Sequence, residues 1–113
     1  MEQKNKITSL QKFFDWIDNN SSCYVSDKSE NSFDIYAPND AVWQINYENE
    51  DEISDIISKT ISQLQDFDAD EQFMELWSVD FANHNHFSPS QFIKMLQEDE
   101  ETFRELARKL REL

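Results

Sequence analysis

Three groups of residues in this chain have types and spacings that could carry chemistry. Asp66, Asp68 and Asp70 fall at alternate positions, the spacing of the first three ligands of a calcium loop. Such a loop needs glycine at its sixth position and a bidentate glutamate at its twelfth. Here those positions are Glu71 and Trp77. The segment is therefore read as a helix start, with Asp68 as N-cap and Glu71 at N3 of a capping box. His84 and His86, with Asp80 upstream, could ligate a transition metal, but no cysteine lies nearby to extend the set. Asn83 to His86 is read as a polar loop, and no metal or cofactor is expected. Cys23 lies in an apolar-alternating segment with no basic neighbour and reads as a small buried residue. Carboxylates are so numerous that an acid–base pair could be drawn anywhere, so they identify none. No catalytic residue is assigned and no enzymatic activity is expected.

The carboxylates are instead informative by their distribution. The 113-residue chain has a formal net charge of −14. Eleven acidic residues lie between Glu48 and Asp80, against the single Lys59. Such a surface repels nucleic acid and anionic lipid and attracts basic proteins. Direct nucleic-acid binding and membrane association are therefore not expected. The chain contains no glycine, which excludes the GxGxxG dinucleotide turn, the Walker loop and the GxSxG nucleophile elbow. One cysteine cannot form an internal disulfide, and no apolar run resembles a signal peptide or a membrane span. A reducing cytoplasmic setting is expected. Nine Phe, three Trp and three Tyr supply a core, so the acidity is not that of a disordered tail.

These residues need elements to position them. Thr8 as N-cap and Gln11 at N3 open a helix over residues 8–19, with Leu10, Phe13, Phe14 and Ile17 on one face. Three strands follow, at 23–26, 32–37 and 42–47. Phe33, Ile35 and Ala37 alternate inward, as do Trp43, Ile45 and Tyr47. Tyr24 and Tyr36 fall on the outer side. Pro38-Asn39-Asp40 is a turn, and the short links favour an antiparallel meander. Residues 50–66 form the strongest helix, capped by Asn49, with Ile53, Ile56, Ile57, Ile61 and Leu64 in one stripe. A helix beginning after Asp68 carries Phe73, Met74, Leu76 and Trp77. Ser88, Pro89 and Gln91 open another. A break is expected at Glu98 to Glu101, with Asp99-Glu100-Glu101 starting a last helix; an unbroken helix over 89–112 is the alternative. The expected architecture is a single α+β domain, residues 1–113. It has an N-terminal helix, a three-stranded antiparallel meander, then three or four helices on one face of the sheet.

About half of the acidic residues then have local structural roles, because carboxylates favour the positive ends of helices. The rest are less easily explained. The exposed side of helix 50–66 carries Ser54, Asp55, Ser58, Lys59, Ser62, Gln65 and Asp66, without the usual Glu–Lys alternation. The final helix does balance its charges, with Arg104, Arg108, Lys109 and Arg111. The expected binding face therefore comprises Glu48, Glu50, Glu52, Asp55, Asp66, Asp68, Asp70, Glu71 and Glu75. Asp55, Asp66 and Glu75 are expected to stand clear of the caps. The expected partner is a basic protein that itself binds nucleic acid. A homodimerising accessory domain is the alternative.

Phe67-Asp68-Ala69-Asp70-Glu71 followed by Trp77, the helix start at Ser88, and the helix ending Leu106, Leu110, Leu113 carry a resemblance. The chain resembles a group of small acidic proteins of Firmicutes and gut-bacterial mobile elements, which implies an α+β fold and no established activity. It departs from that group at Asn83 to His86, where those proteins have glycines. In layout and charge it is also similar to the small type II anti-CRISPR proteins. That similarity implies a DNA mimic whose carboxylates occupy a basic nucleic-acid groove, and no individual residue carries over.

Overall fold

The computed structural model describes residues 7–79 and 88–113. The expected α+β order is found: helix α1 (Leu10–Asn20), strands β1 (Tyr24–Ser26), β2 (Ser32–Tyr36) and β3 (Val42–Asn46), then α2 (Ile53–Leu64), α3 (Ala69–Val79) and α4 (Pro89–Arg111). The strands form an antiparallel meander in sequence order, with Val25 opposite Ile35 and Ile35 opposite Trp43. The period of two in Phe33, Ile35 and Ala37 places all three in the core. Ile45 and Tyr47 join them, while Trp43 is half-buried. On α1, Phe13, Phe14 and Ile17 are buried, and Phe14 meets Phe33 edge-on at 4.8 Å. Helix α2 packs on β3 and α4, α3 packs on α4, and α1 packs on β1.

The two sheet edges are closed by side chains from the helices. Asp18 of α1 accepts the Val25 amide at 3.0 Å. On the other edge, Gln63 of α2 acts as a short strand surrogate. Its Oε1 accepts the Asn46 amide at 2.9 Å and its Nε2 donates to the Asn46 carbonyl at 2.8 Å. Unpaired edge groups would otherwise invite pairing with another chain.

Several boundaries differ from expectation. The first helix is capped by Ser9, whose Oγ accepts the Lys12 amide at 3.2 Å. Gln11 instead reaches Asp15. Helix α2 starts three residues late because Asp51 is engaged elsewhere: it accepts the Glu48 amide and pairs with Lys59. Glu52 is the cap, and Asp55 accepts the Glu52 amide at 3.1 Å. Asn49 is not a cap but accepts from the Asn31 side chain. The α2 stripe centres on Ile56, Thr60 and Leu64, with Ile53, Ile57 and Ile61 half-buried at its flanks. Thr60 can sit in the core because its hydroxyl donates to the Ile56 carbonyl at 2.8 Å. The Ser88–Gln91 capping box forms as expected.

The expected break at residues 98–101 does not occur; α4 is continuous. Phe92, Leu96, Asp99, Phe103, Leu106 and Leu110 are all buried and recur at steps of four and three. Asp99 occupies an apolar position of that stripe and is 1% exposed. It is no helix start. Its two oxygens accept the backbone amides of Asn39 and Ala41 at 3.1 and 3.0 Å, fastening the β2–β3 turn to α4. Glu100 accepts the Ala69 amide at 3.0 Å, Arg104 donates to the Phe67 carbonyl at 2.8 Å, and Lys109 donates to the Asn20 carbonyl at 2.8 Å. One helix thus secures the turn, the entry to α3 and the end of α1.

The turn also contains a left-handed residue. Asp40 has φ of 73° in a chain without glycine, and an L-residue there costs energy that glycine does not. Asp40→Gly should raise stability by about 0.5 kcal/mol, helped by removal of a like charge near Asp99. Urea unfolding midpoints test this; a lower midpoint would refute it.

Candidate acidic interface

The corner between α2 and α3 explains why its acids face solvent. Phe67 and Ala69 are buried, at 1% and 2% exposure, whereas Asp66, Asp68 and Asp70 are exposed. The spacing that looked like a calcium loop is the in–out alternation of a link between two helices. Phe67 is its anchor. The ring meets Trp43 edge-on at 5.3 Å and Phe103 at 4.9 Å, and its carbonyl accepts from Arg104. Asp68 caps α3 as expected, accepting the amides of Asp70 and Glu71 at 2.9 and 3.2 Å. Among the described residues, no three His, Cys, Asp or Glu side chains converge as a metal site would require. Asp80, Asn83, His84 and His86 lie outside the described residues.

The nine nominated residues are exposed, but they form two groups rather than one stripe. Glu48, Glu50, Glu52 and Asp55 surround the start of α2. Asp66, Asp68, Asp70, Glu71 and Glu75 lie between the end of α2 and α3. The twelve residues of α2 span about 18 Å between them. The exposed surface of α2 between the groups carries Ser54, Ser58 and Ser62. Among the described residues, the ion pairs are Lys59–Asp51, Arg104–Glu100, Arg108–Glu105 and Arg108–Glu112. Glu48, Glu50, Glu52, Asp55, Asp66, Asp68, Asp70 and Glu71 take part in none of these. On α4, Arg104 and Arg108 pair with Glu100, Glu105 and the adjoining Glu112, whereas Lys94, Lys109 and Arg111 are in none of these pairs. Asp55 does not stand clear of the caps, because it holds the Glu52 amide.

Beside the second group lies a groove of about 720 Å³, lined by Trp43, Asp70, Glu71, Gln72, Met74 and Glu75. Met74, expected on this helix together with Phe73, Leu76 and Trp77, is 69% exposed. The helical spacing held the signal: Phe73, Leu76 and Trp77 share one face, and Met74 falls with Asp70 and Glu71. Trp43 is fixed at the groove by donating its indole N–H to the Gln63 carbonyl at 2.6 Å.

Amid the first group, the hydrogen bond from Lys59 holds Asp51 below the usual carboxylate range; other shifted groups lie away from the two acidic groups. Burial pushes the Cys23 thiol up to about 12, with the nearby Asp99 charge adding to the effect, so the sulfur remains a thiol. Asp99 is raised chiefly by burial, against the pull of its two backbone donors. On the open side of the sheet, Asp34 is raised by burial and then by Asp27. Tyr36 donates to Asp27 at 3.0 Å and stacks on Tyr24 at 5.1 Å, as expected of an outward-facing pair; Tyr24 is exposed and Tyr36 half-buried.

The fold and this surface define an α+β protein with a two-part acidic face and an acid-rimmed groove. No family model, curated protein or solved structure matches the chain. Among the described residues, no helix is long and apolar enough to cross a membrane.

Proposed function

We propose that this chain is a non-enzymatic binding protein whose carboxylates engage a basic protein that binds nucleic acid. The observation that carries this reading is the set of eight exposed carboxylates outside any ion pair among the described residues, in a segment whose one basic residue, Lys59, is already paired with Asp51. Basic grooves bind phosphate largely through charge, and carboxylates held on a folded surface can compete for the same arginines and lysines. The two groups, about 18 Å apart along α2, can meet separate basic patches. The similarity in layout and charge to the small type II anti-CRISPR proteins favours a DNA mimic from a phage or mobile element, acting on a CRISPR effector or a comparable protein.

The test is capture from a bacterial lysate at low and high salt, with identification of the partner and competition by duplex DNA. Binding should weaken steeply with salt, because the screening length shortens from about 10 Å at 0.1 M to about 3 Å at 1 M. The combined variant Asp66→Asn, Asp70→Asn, Glu71→Gln should bind about tenfold to a hundredfold more weakly while remaining folded. Among the described residues, the amides of Asp70 and Glu71 at the start of α3 are accepted by Asp68 and not by these three side chains. Salt-independent capture that DNA does not displace would refute the mimic.

A second reading is a homodimerising accessory domain. It is favoured by Tyr24 and Val42, 46% and 41% exposed on the open side of the sheet. A salt-insensitive dimer in sedimentation, lost in Val42→Lys, would favour it.

A further inference from the structure

We propose that the groove beside Met74 is a docking site for a basic amphipathic segment of a protein partner. The segment would set an apolar side chain against Trp43 and Met74, and lysines or arginines against Asp70 and Glu71. This rests on the reading that the acidic face meets a basic protein, and it specifies the chemistry of the part that docks.

Three observations carry it. Met74 is 69% exposed although it stands beside further apolar surface. Two concavities meet at Asp70 and Met74: the groove that includes Trp43, and a second of about 390 Å³ lined by Phe73, Pro89 and Ile93. Apolar surface is therefore offered on both sides of Met74, by Trp43 in one concavity and by Phe73, Pro89 and Ile93 in the other. Asp70 and Glu71 stand along the same groove, outside any ion pair among the described residues. A purely basic chain would leave this apolar surface in water, and a purely apolar chain would leave the carboxylates unmatched. A segment bearing both chemistries satisfies both. The unbranched thioether of Met74 can adapt to the shape of the incoming side chain, and aromatic residues and methionine are enriched at interfaces.

The experiment uses two synthetic peptide probes of equal length and charge, an amphipathic Lys/Leu helix and a Lys/Ser peptide. Binding is measured by titration, and the Met74 methyl is followed by NMR. The Lys/Leu peptide should bind about tenfold more tightly than the Lys/Ser peptide and should move the Met74 methyl resonance. Met74→Gln, at an exposed position, should abolish the difference and leave Lys/Ser binding unchanged. Asp70→Asn with Glu71→Gln should weaken both peptides. Equal binding of the two peptides, or an unmoved Met74 methyl, would overturn the groove and leave the acidic-face reading standing. Failure of both peptides to bind at low salt would overturn both. A Met74 resonance that shifts with protein concentration alone, alongside a dimer in sedimentation, would overturn this proposal in favour of a second copy as the occupant.

Discussion

Replacing Asp99 by Ala should lower the unfolding free energy by about 3 kcal/mol, because two backbone amides lose their acceptor where little water can replace it. Asp99 is 1% exposed and takes both amides, one with each oxygen. Asp99→Asn should cost less than Ala but more than a surface change, since its amide group can accept from one donor while its NH₂ faces the other. Urea unfolding measures both. A loss below about 0.5 kcal/mol for Ala, the scale of an ordinary surface substitution, would mean that the turn does not depend on α4.

The same residue sets a pH dependence. Burial, aided by the charges of Asp40 and Glu98, raises the folded carboxyl above its ordinary value. The folded state therefore holds this proton more tightly than the unfolded chain does. By linkage, the associated stability is fully present below the unfolded value and is lost as pH rises through the raised folded value. The stability of the wild type relative to Asp99→Asn should accordingly increase as pH falls from 7 toward 4. The comparison with Asn is needed because acidification also relieves the general repulsion of a chain at −14. A difference that is flat or shrinks with acidification would contradict the burial argument.

Phe67→Ala should be the more damaging core change, costing about 3–5 kcal/mol, a large share of the total stability of a domain of this size. The ring joins Trp43 of β3 to Phe103 of α4, and its loss leaves a hole where three elements meet. Phe67→Leu should cost less than half as much, since most of the volume is kept. The functional consequence is separable. Phe67 turns Asp66 and Asp68 outward, so Phe67→Leu should retain partner binding, whereas Asp66→Asn, Asp70→Asn, Glu71→Gln should remain folded, losing about 0.3–1 kcal/mol for each charge removed from the first turn of α3, and should bind about tenfold to a hundredfold more weakly. Denaturation curves and the salt-dependent capture, run on the same proteins, check the two outcomes. Reduced binding by Phe67→Leu, equal to that of the triple variant, would place the ring at the interface rather than beneath it.

Much of the architecture was legible from local pattern. The alternation of Phe33, Ile35 and Ala37 and the 3.6-residue spacing of Phe13, Phe14 and Ile17 each assign a buried face without knowledge of a partner. The Asp68 cap and the Ser88–Gln91 box are also local, because donor and acceptor lie within one turn. Local rules failed where a residue had a better long-range or competing use. Asn49 reaches Asn31 and Asp51 holds Lys59, so the expected cap moved to Glu52.

The acidic total and its concentration in mid-chain are properties of the sequence alone, as are the faces of its helices and strands. Tertiary structure decided what the individual carboxylates do. Asp99 and Glu100 resembled a helix start by type, yet they hold amides contributed by residues about 60 and 31 positions away. Asp99 did leave a trace, since it falls in step with Leu96 and Phe103 on the buried side of α4. Residue type cannot show that a carboxylate on an apolar stripe will find two amides waiting; that requires the turn to be brought against the helix. Likewise, closeness along the chain made one acidic face of residues 48–75, whereas the length of α2 divides it in two. The groove at Met74 exists because α3 passes beside Trp43, a juxtaposition of distant segments set by packing around Phe67.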